Sequence, residues 1–421
     1  MNIHMKVKLN IILLFMSTLA FSQEIISFTV HSGPTSRIDC PVSIPLERIN
    51  YNEDLGFLSL FEIIDGDEFP VPCQLESGQS ARLWFILSGE TPSGKSRNFV
   101  MRLQKESSKS VAIQLNRQQG ILRLNYKDRP ILGYQFESVY PPKGVSELFK
   151  RSGFIHPLWS PDGQVLSRIQ PPDHYHHYGI WGPWTKTHIK GREVDFWNLL
   201  KGQGTVQFSG FISEVEGPVF SGFKALQEHI DFGGLGADRI AINEVLDIRA
   251  WNPGSEDVWL IDYTVSLNTP LDSGILLDAY RYGGGIGYRA TEIWHKDNSS
   301  VLTSENKDRL TADGTKARWC LVEGESDSEE GRSGILFMGH TSNRDFPEPM
   351  RVWPVDANGG RGDLYFEFCP IRHKDWVLEK GKDYSLKYRL LVFDGAISAE
   401  KAEIYWQDFA NPPQVEILKS D

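Results

Sequence analysis

Short runs in which apolar and polar side chains alternate, cut off by Gly, Pro or Asn before they reach helical length, recur along this chain. Examples are Ile26-Ser27-Phe28-Thr29-Val30, Ala241-Ile242-Asn243-Glu244-Val245-Leu246-Asp247-Ile248 and Trp259-Leu260-Ile261-Asp262-Tyr263-Thr264-Val265. A period of two sends successive side chains to opposite faces of a strand, so such runs predict antiparallel sheets with one face buried. The expected fold class is all-β: a small N-terminal β-sandwich over 23–116, then a large antiparallel β-sandwich over 117–421 that carries the chemistry. The polar stretch Asn116-Arg117-Gln118-Gln119-Gly120 marks the boundary. Two helical segments interrupt the pattern, at 146–150 and 398–407, the second with Ser398 as N-cap and Glu400 early in the helix.

Composition narrows the function. Fifty-five Asp and Glu against 44 Lys and Arg leave a formal net charge of -11, with no basic stripe of the kind a phosphate backbone demands, so nucleic acid is not an expected partner. Lys6 and Lys8 precede an apolar run, 9–21, that ends in Ala20-Phe21-Ser22, which reads as a secretory signal peptide over 1–22 cleaved after Ser22. The run is too short to span a bilayer, so the expected product is exported, periplasmic or secreted, without membrane insertion. Export permits disulfides among Cys40, Cys73, Cys320 and Cys369; Cys40 with Cys73 is the favoured bridge, and four free thiols are the alternative.

The segment richest in chemistry is Asp173-His174-Tyr175-His176-His177-Tyr178-Gly179-Ile180-Trp181-Gly182-Pro183-Trp184, with His188 just beyond. Were it extended, His174 and His176 would share one face and His177 would take the other. Two imidazoles on one face could hold a divalent metal, completed by His188 or a distal Asp. Alternatively, a His base beside a Tyr acid suits removal of a carbon-bound proton next to a carboxylate. Asp195, in Val194-Asp195-Phe196-Trp197, could orient one of the histidines.

Arg281, flanked by Tyr280 and Tyr282, suits a sugar carboxylate or sulfate, because a guanidinium binds such anions through two hydrogen bonds while aromatic faces stack on sugar rings. Trp181 and Trp184 are further stacking candidates, and Gly283, Gly284, Gly285 and Gly287 would let backbone approach a ligand. His340, Asn343 and Arg344 offer polar contacts from a later loop. Paired carboxylates for hydrolysis could come from Asp278 with Glu292 or Glu367. The chain has no GxSxG elbow, HExxH helix or dinucleotide fingerprint.

The run 173–181, Val194-Asp195-Phe196-Trp197, the set His340, Asn343, Arg344 and Pro347, and the closing Tyr388-Arg389-Leu390 resemble the PmoA-like family of exported bacterial proteins. The resemblance covers most of the chain after about residue 90, with Tyr175 in place of the family's Pro and Tyr178 in place of its Arg. It implies a role in polysaccharide utilisation and a supersandwich similar to galactose mutarotase-type and lyase-type domains.

Together these residues predict an exported carbohydrate-active enzyme that degrades acidic, uronate-containing oligosaccharides by β-elimination or dehydration. In that reading His174, His176 or His177 is the base, Tyr178 or Tyr282 the acid, and Arg281 or a metal neutralises the carboxylate. A glycoside hydrolase and a non-catalytic carbohydrate-binding protein are the alternatives.

Overall fold

The computed structural model describes residues 24–49, 51, 56–78, 80–104, 110–233 and 238–418; the leader predicted over 1–22 lies outside them. Among these residues, five antiparallel sheets form, with one α-helix, Ala399–Ala410, whose first turn is capped by Ser398 Oγ accepting from Lys401 N–H at 3.2 Å. The segment expected to be helical at 146–150 forms a single 3-10 turn, Glu147–Phe149. No described helix is long and apolar enough to cross a membrane.

A five-stranded and a three-stranded sheet close the N-terminal sandwich over Phe28, Val30, Val42, Leu83, Phe85 and Phe99. The boundary expected at 116, and the expected placement of the chain's end in the large sandwich, both differ from what is observed. Strand Ile113–Gln118 pairs with Ile121–Tyr126 and so belongs to the large sandwich, because Gln119 and Gly120 take φ of +51° and +77° and make the polar stretch a two-residue hairpin turn rather than a linker. The last strand, Gln414–Leu418, returns to pair with Glu24–His31. All four cysteines are free. Cys40 and Cys73 lie on strands that flank Arg82–Thr91 from opposite sides, two strand spacings or roughly 10 Å apart and beyond disulfide reach.

The large sandwich packs a nine-stranded sheet on an eight-stranded one. Their inner faces meet in one core that includes Leu122, Ile131, Ile180, Tyr288 and Phe366 from the first and Phe223, Leu246, Ile261 and Leu390 from the second. Each such side chain, fully buried, contributes about 1.5–3 kcal/mol. A four-stranded sheet adds Ile189, Val194, Ile275, Leu277 and Leu378 to the same core.

Alternation on the nine-stranded sheet then fixes what its other face carries. Strands Glu348–Val352, Tyr365–Phe368, Ile286–Arg289 and Ile180–Trp181 lie side by side. Their registers align Val352, Phe366, Tyr288 and Ile180 toward the core, and Arg351, Glu367, Gly287 and Trp181 away from it. Arg289 faces Tyr365 in the next outward row. This outer face gathers a second cluster of rings, Phe149, Tyr178, Trp181, Trp197, Trp353 and Tyr365, over which the histidine segment folds.

Candidate functional site

The histidine segment is not extended. Two successive turns, closed by His174 N–H to the Pro171 carbonyl (2.9 Å) and His177 N–H to the His174 carbonyl (3.1 Å), coil it into the tip of a loop. The Gln170 N–H to His177 carbonyl bond (2.7 Å) and the Ile169–Tyr178 bridge close its base. Pro171 and Pro172 cannot donate to a ladder, which favours the turns over a strand. Gly179 ends the loop at φ +69°, where a Cβ would stand 2.3 Å from the Ile155 carbonyl oxygen, so the exit admits only glycine. Coiling puts His174, His176 and His177 together instead of dividing them between two faces: one ring nitrogen from each lies within 4.8 Å of the others.

Their polarity follows from the groups beneath. Asp173 accepts from Arg289 Nη2 at 2.8 Å and from His174 Nδ1 at 2.9 Å. These contacts outweigh its partial burial and hold its carboxyl down at about 2, so it is ionised and only accepts. His174 Nδ1 must then carry the proton, leaving the Nε2 lone pair of the neutral ring free. Arg289 has the opposite effect on His177. Its Nη1 stands 3.5 Å from His177 Nδ1 and can only donate, which puts the His177 proton on Nε2. Burial, followed by the charges of His176 and Arg289, holds His177 well below its ordinary value; burial and His174 push His176 down to about 4. Arg289 is 1 % exposed and also binds Asp363 at 2.5 Å.

The three nitrogens are close enough to ligate a divalent ion. At His177, however, such an ion would meet a protonated Nε2 on one side and the Arg289 guanidinium on the other. The set fits a proton acceptor and a proton donor side by side more closely than three lone pairs. Asp195 does not orient these rings. It is fully buried and accepts from Trp197 N–H (2.9 Å), Asn198 N–H (2.8 Å) and Thr185 Oγ1 (3.0 Å), so it shapes the turn that places Trp197. Trp197 in turn donates from Nε1 to the His176 carbonyl at 2.8 Å.

Aromatic rings wall the cluster. Trp353 lies 4.8 Å from His174 and 5.5 Å from His177, centroid to centroid; Trp181, Trp197 and Tyr365 close on His177 at 5.4, 5.7 and 5.1 Å. The two candidate phenols separate. Tyr178 is fully buried, and its hydroxyl donates to the Phe149 carbonyl at 2.6 Å, so it has no route to a substrate. Tyr282 is half-buried beside Trp197 and Tyr365, and its oxygen accepts from Trp353 Nε1 and Arg351 Nη2, each at 3.2 Å. Two donors occupy its lone pairs, which leaves its own proton for another acceptor. Arg281 is exposed, lies 5.3 Å over the Tyr282 ring and pairs with no carboxylate among the described residues. Tyr280 stands 5.9 Å from Tyr282.

The other expected residues fall elsewhere. Trp184 is in the main core, against Trp376 and Gly284, where a Cβ would meet the Trp184 ring at 2.2 Å; the glycine run thus serves packing, not ligand approach. Asn343 is buried on Glu348 (2.6 Å), and His340 lies 5.2 Å from Phe409, in the cleft beneath the N-terminal domain. Arg344 comes nearer, bonding the Asp375 carbonyl, while the Asp375 carboxylate holds Ala279 N–H at 2.7 Å. His188 stands 3.9 Å from Asp278, Glu292 binds Arg168 at 3.1 Å, and Glu367 is wholly buried, accepting from Tyr365 and Gly283 at 2.6 Å each. Each carboxylate therefore has a different partner, and burial pushes Glu367 up to about 8. Sequence reasoning did not single out Asp173, Arg289, Trp353 and Tyr365; only Asp173 carried a local signal, standing next to His174.

A family model described as a family of unknown function (DUF6807) matches residues 122–407. The chain belongs to that family. The matched span includes the whole histidine site and most of the large sandwich. No curated protein matches the sequence. Among solved structures, the chain is similar to a glycosyl hydrolase family 38 protein from Enterococcus faecalis (9 % identity, TM-score 0.44, 94 % of this chain and 47 % of that one). It is also similar to an alpha-mannosidase from Enterococcus faecalis V583 (8 % identity, TM-score 0.42, 94 % and 46 %). The chain spans less than half the length of either, and likeness of this degree speaks to neither substrate nor activity.

Proposed function

We propose that this DUF6807 member is an exported carbohydrate-active enzyme that acts on uronate-containing oligosaccharides by β-elimination or dehydration. The observation that carries the reading is the pair that Trp353 joins, His174 by its ring and Tyr282 by its indole N–H: His174 has Asp173 fixing its Nε2 as a base, and Tyr282 has both lone pairs occupied and its proton free. Arg281, with no carboxylate partner among the described residues, supplies the cation that a sugar carboxylate seeks.

In this reaction His174 Nε2 removes the proton from the carbon next to the carboxylate. The electron pair of that C–H bond becomes a carbon–carbon double bond as the bond from the adjacent carbon to its oxygen substituent breaks. Tyr282 gives its proton to the departing oxygen. Departure of a glycosidic oxygen cleaves the chain, whereas departure of a hydroxyl releases water. Arg281 stabilises the charge that builds on the carboxylate during proton removal.

His174→Gln and Tyr282→Phe test the assignment. Each should lower turnover of uronate oligosaccharides by at least about a hundredfold while the protein stays folded by circular dichroism. Near-normal turnover in either variant would remove that residue from the chemistry.

A further inference from the structure

The cations at the rim of this site come in a repeated arrangement. The Arg281 guanidinium lies 5.3 Å over the ring of Tyr282, and the Lys186 ammonium lies 5.2 Å over the ring of Tyr280. The two rings are 5.9 Å apart. Lys186, like Arg281, has no carboxylate partner among the described residues, although the whole chain carries a net charge of -11 and most of the described buried or half-buried cations besides Lys186 are paired. Asp278, whose N–H bonds the Lys186 carbonyl, has its carboxylate 3.9 Å from His188, and the Asp375 carboxylate accepts from Ala279 N–H at 2.7 Å.

We propose that Lys186 and Tyr280 form a second anionic-sugar subsite beside Arg281 and Tyr282, so that the preferred substrate carries acidic groups on adjacent residues. In each unit a cation able to meet a sugar's acidic group stands over a tyrosine ring, with Arg351 also 4.9 Å over Tyr282, and the spacing of the two rings is of the order of one sugar ring. The backbone holds the pair in register: Lys186 C=O accepts from Asp278 N–H at 3.1 Å, and Tyr280 N–H donates to the Ile371 carbonyl at 3.3 Å. The inference rests on the proposed uronate reading for its substrate class. It adds that recognition extends past the reacting residue, and that Lys186 positions substrate without taking part in bond breaking.

The test compares trigalacturonate with the same trisaccharide whose carboxyl next to the reacting residue has been reduced to an alcohol. Lys186→Gln should raise KM for the fully charged substrate about tenfold with kcat unchanged, and should leave KM for the reduced one alone. Lys186→Arg should restore most of the loss. An equal change on both substrates, or none on either, would overturn the proposal. Should the wild-type protein turn over neither compound, elimination fails while the subsite stays testable: tryptophan fluorescence titration with both trisaccharides reads the same difference as a change in Kd. A neutral oligosaccharide sulfated at the corresponding position tells the two anions apart. Binding as tight as the carboxylate form assigns recognition to charge alone, and weaker binding that still depends on Lys186 assigns it to the carboxylate.

Discussion

The outer faces of the two large sheets obey the same alternation and carry opposite chemistry. On the eight-stranded sheet, Lys224 lies across from Asp247 and bonds it at 3.1 Å, and Asp262 lies between Arg249 and Arg389, binding Arg389 at 2.5 Å. Glu76 reaches down from the N-terminal domain to Arg249. These residues line a cleft of about 670 Å³, yet every carboxylate in the ladder has a cation opposite it. On the nine-stranded sheet the ion pairs are sunk beneath the surface around Arg289, and what the site offers is an imidazole lone pair, a phenol proton and two cations without carboxylate partners among the described residues. A cross-strand charge ladder satisfies itself, whereas a site leaves donors, acceptors and charges for something else to satisfy.

The difference should be largest in stability. Arg289→Met takes from Asp173, 12 % exposed, its guanidinium partner, while Asp363 keeps Arg361 and Arg168, so the cost in urea unfolding should lie near the lower end of about 3–5 kcal/mol. A loss under about 1 kcal/mol would make the floor of the site no different from the ladder.

Acid should act next. His176 is held at about 4 in the folded chain and returns to 6.5 when unfolded, so the unfolded state takes up more protons between those values. Stability should fall as pH drops from about 6.5 to 4, by about 3 kcal/mol from this ring, and His176→Gln should flatten that slope in a pH series of thermal melts. An unchanged slope would contradict the burial assigned to the ring.

The third effect is on rate. In Asp173→Asn the single amide oxygen turns to Arg289 and the NH2 to His174 Nδ1, which drives the imidazole proton to Nε2 and removes the base. Turnover should fall about a hundredfold with KM little changed. The smallest effect belongs to the ladder: Lys224→Met, 41 % exposed in the native chain, should cost less than about 1 kcal/mol and leave turnover intact.

How far the sequence discloses all this depends on the distance along the chain between partners. The alternation of Val352 and Trp353, or of Phe366 and Glu367, is legible, and so is the histidine run as a concentration of chemistry. What the run's side chains face is not legible, because Arg289 lies 116 residues beyond Asp173 and arrives through strand register. Local conformation misled in two places. An extended 174–178 would divide the three histidines between two faces, but two prolines just before them start turns, and the turns are what join the three rings. The stretch at 116–120 has the composition of a linker and the backbone of a hairpin. Tyr178 and Tyr282 are chemically identical in sequence; only tertiary packing buries one and leaves the other its proton.

The most direct test of the central claim is to incubate the protein with uronate oligosaccharides and record near-ultraviolet absorbance and product mass together. Elimination predicts a new absorbance from the carbon–carbon double bond, with either chain cleavage or loss of one water, and its disappearance in His174→Gln. Cleavage with gain of water and no new absorbance would contradict the account and establish a hydrolase.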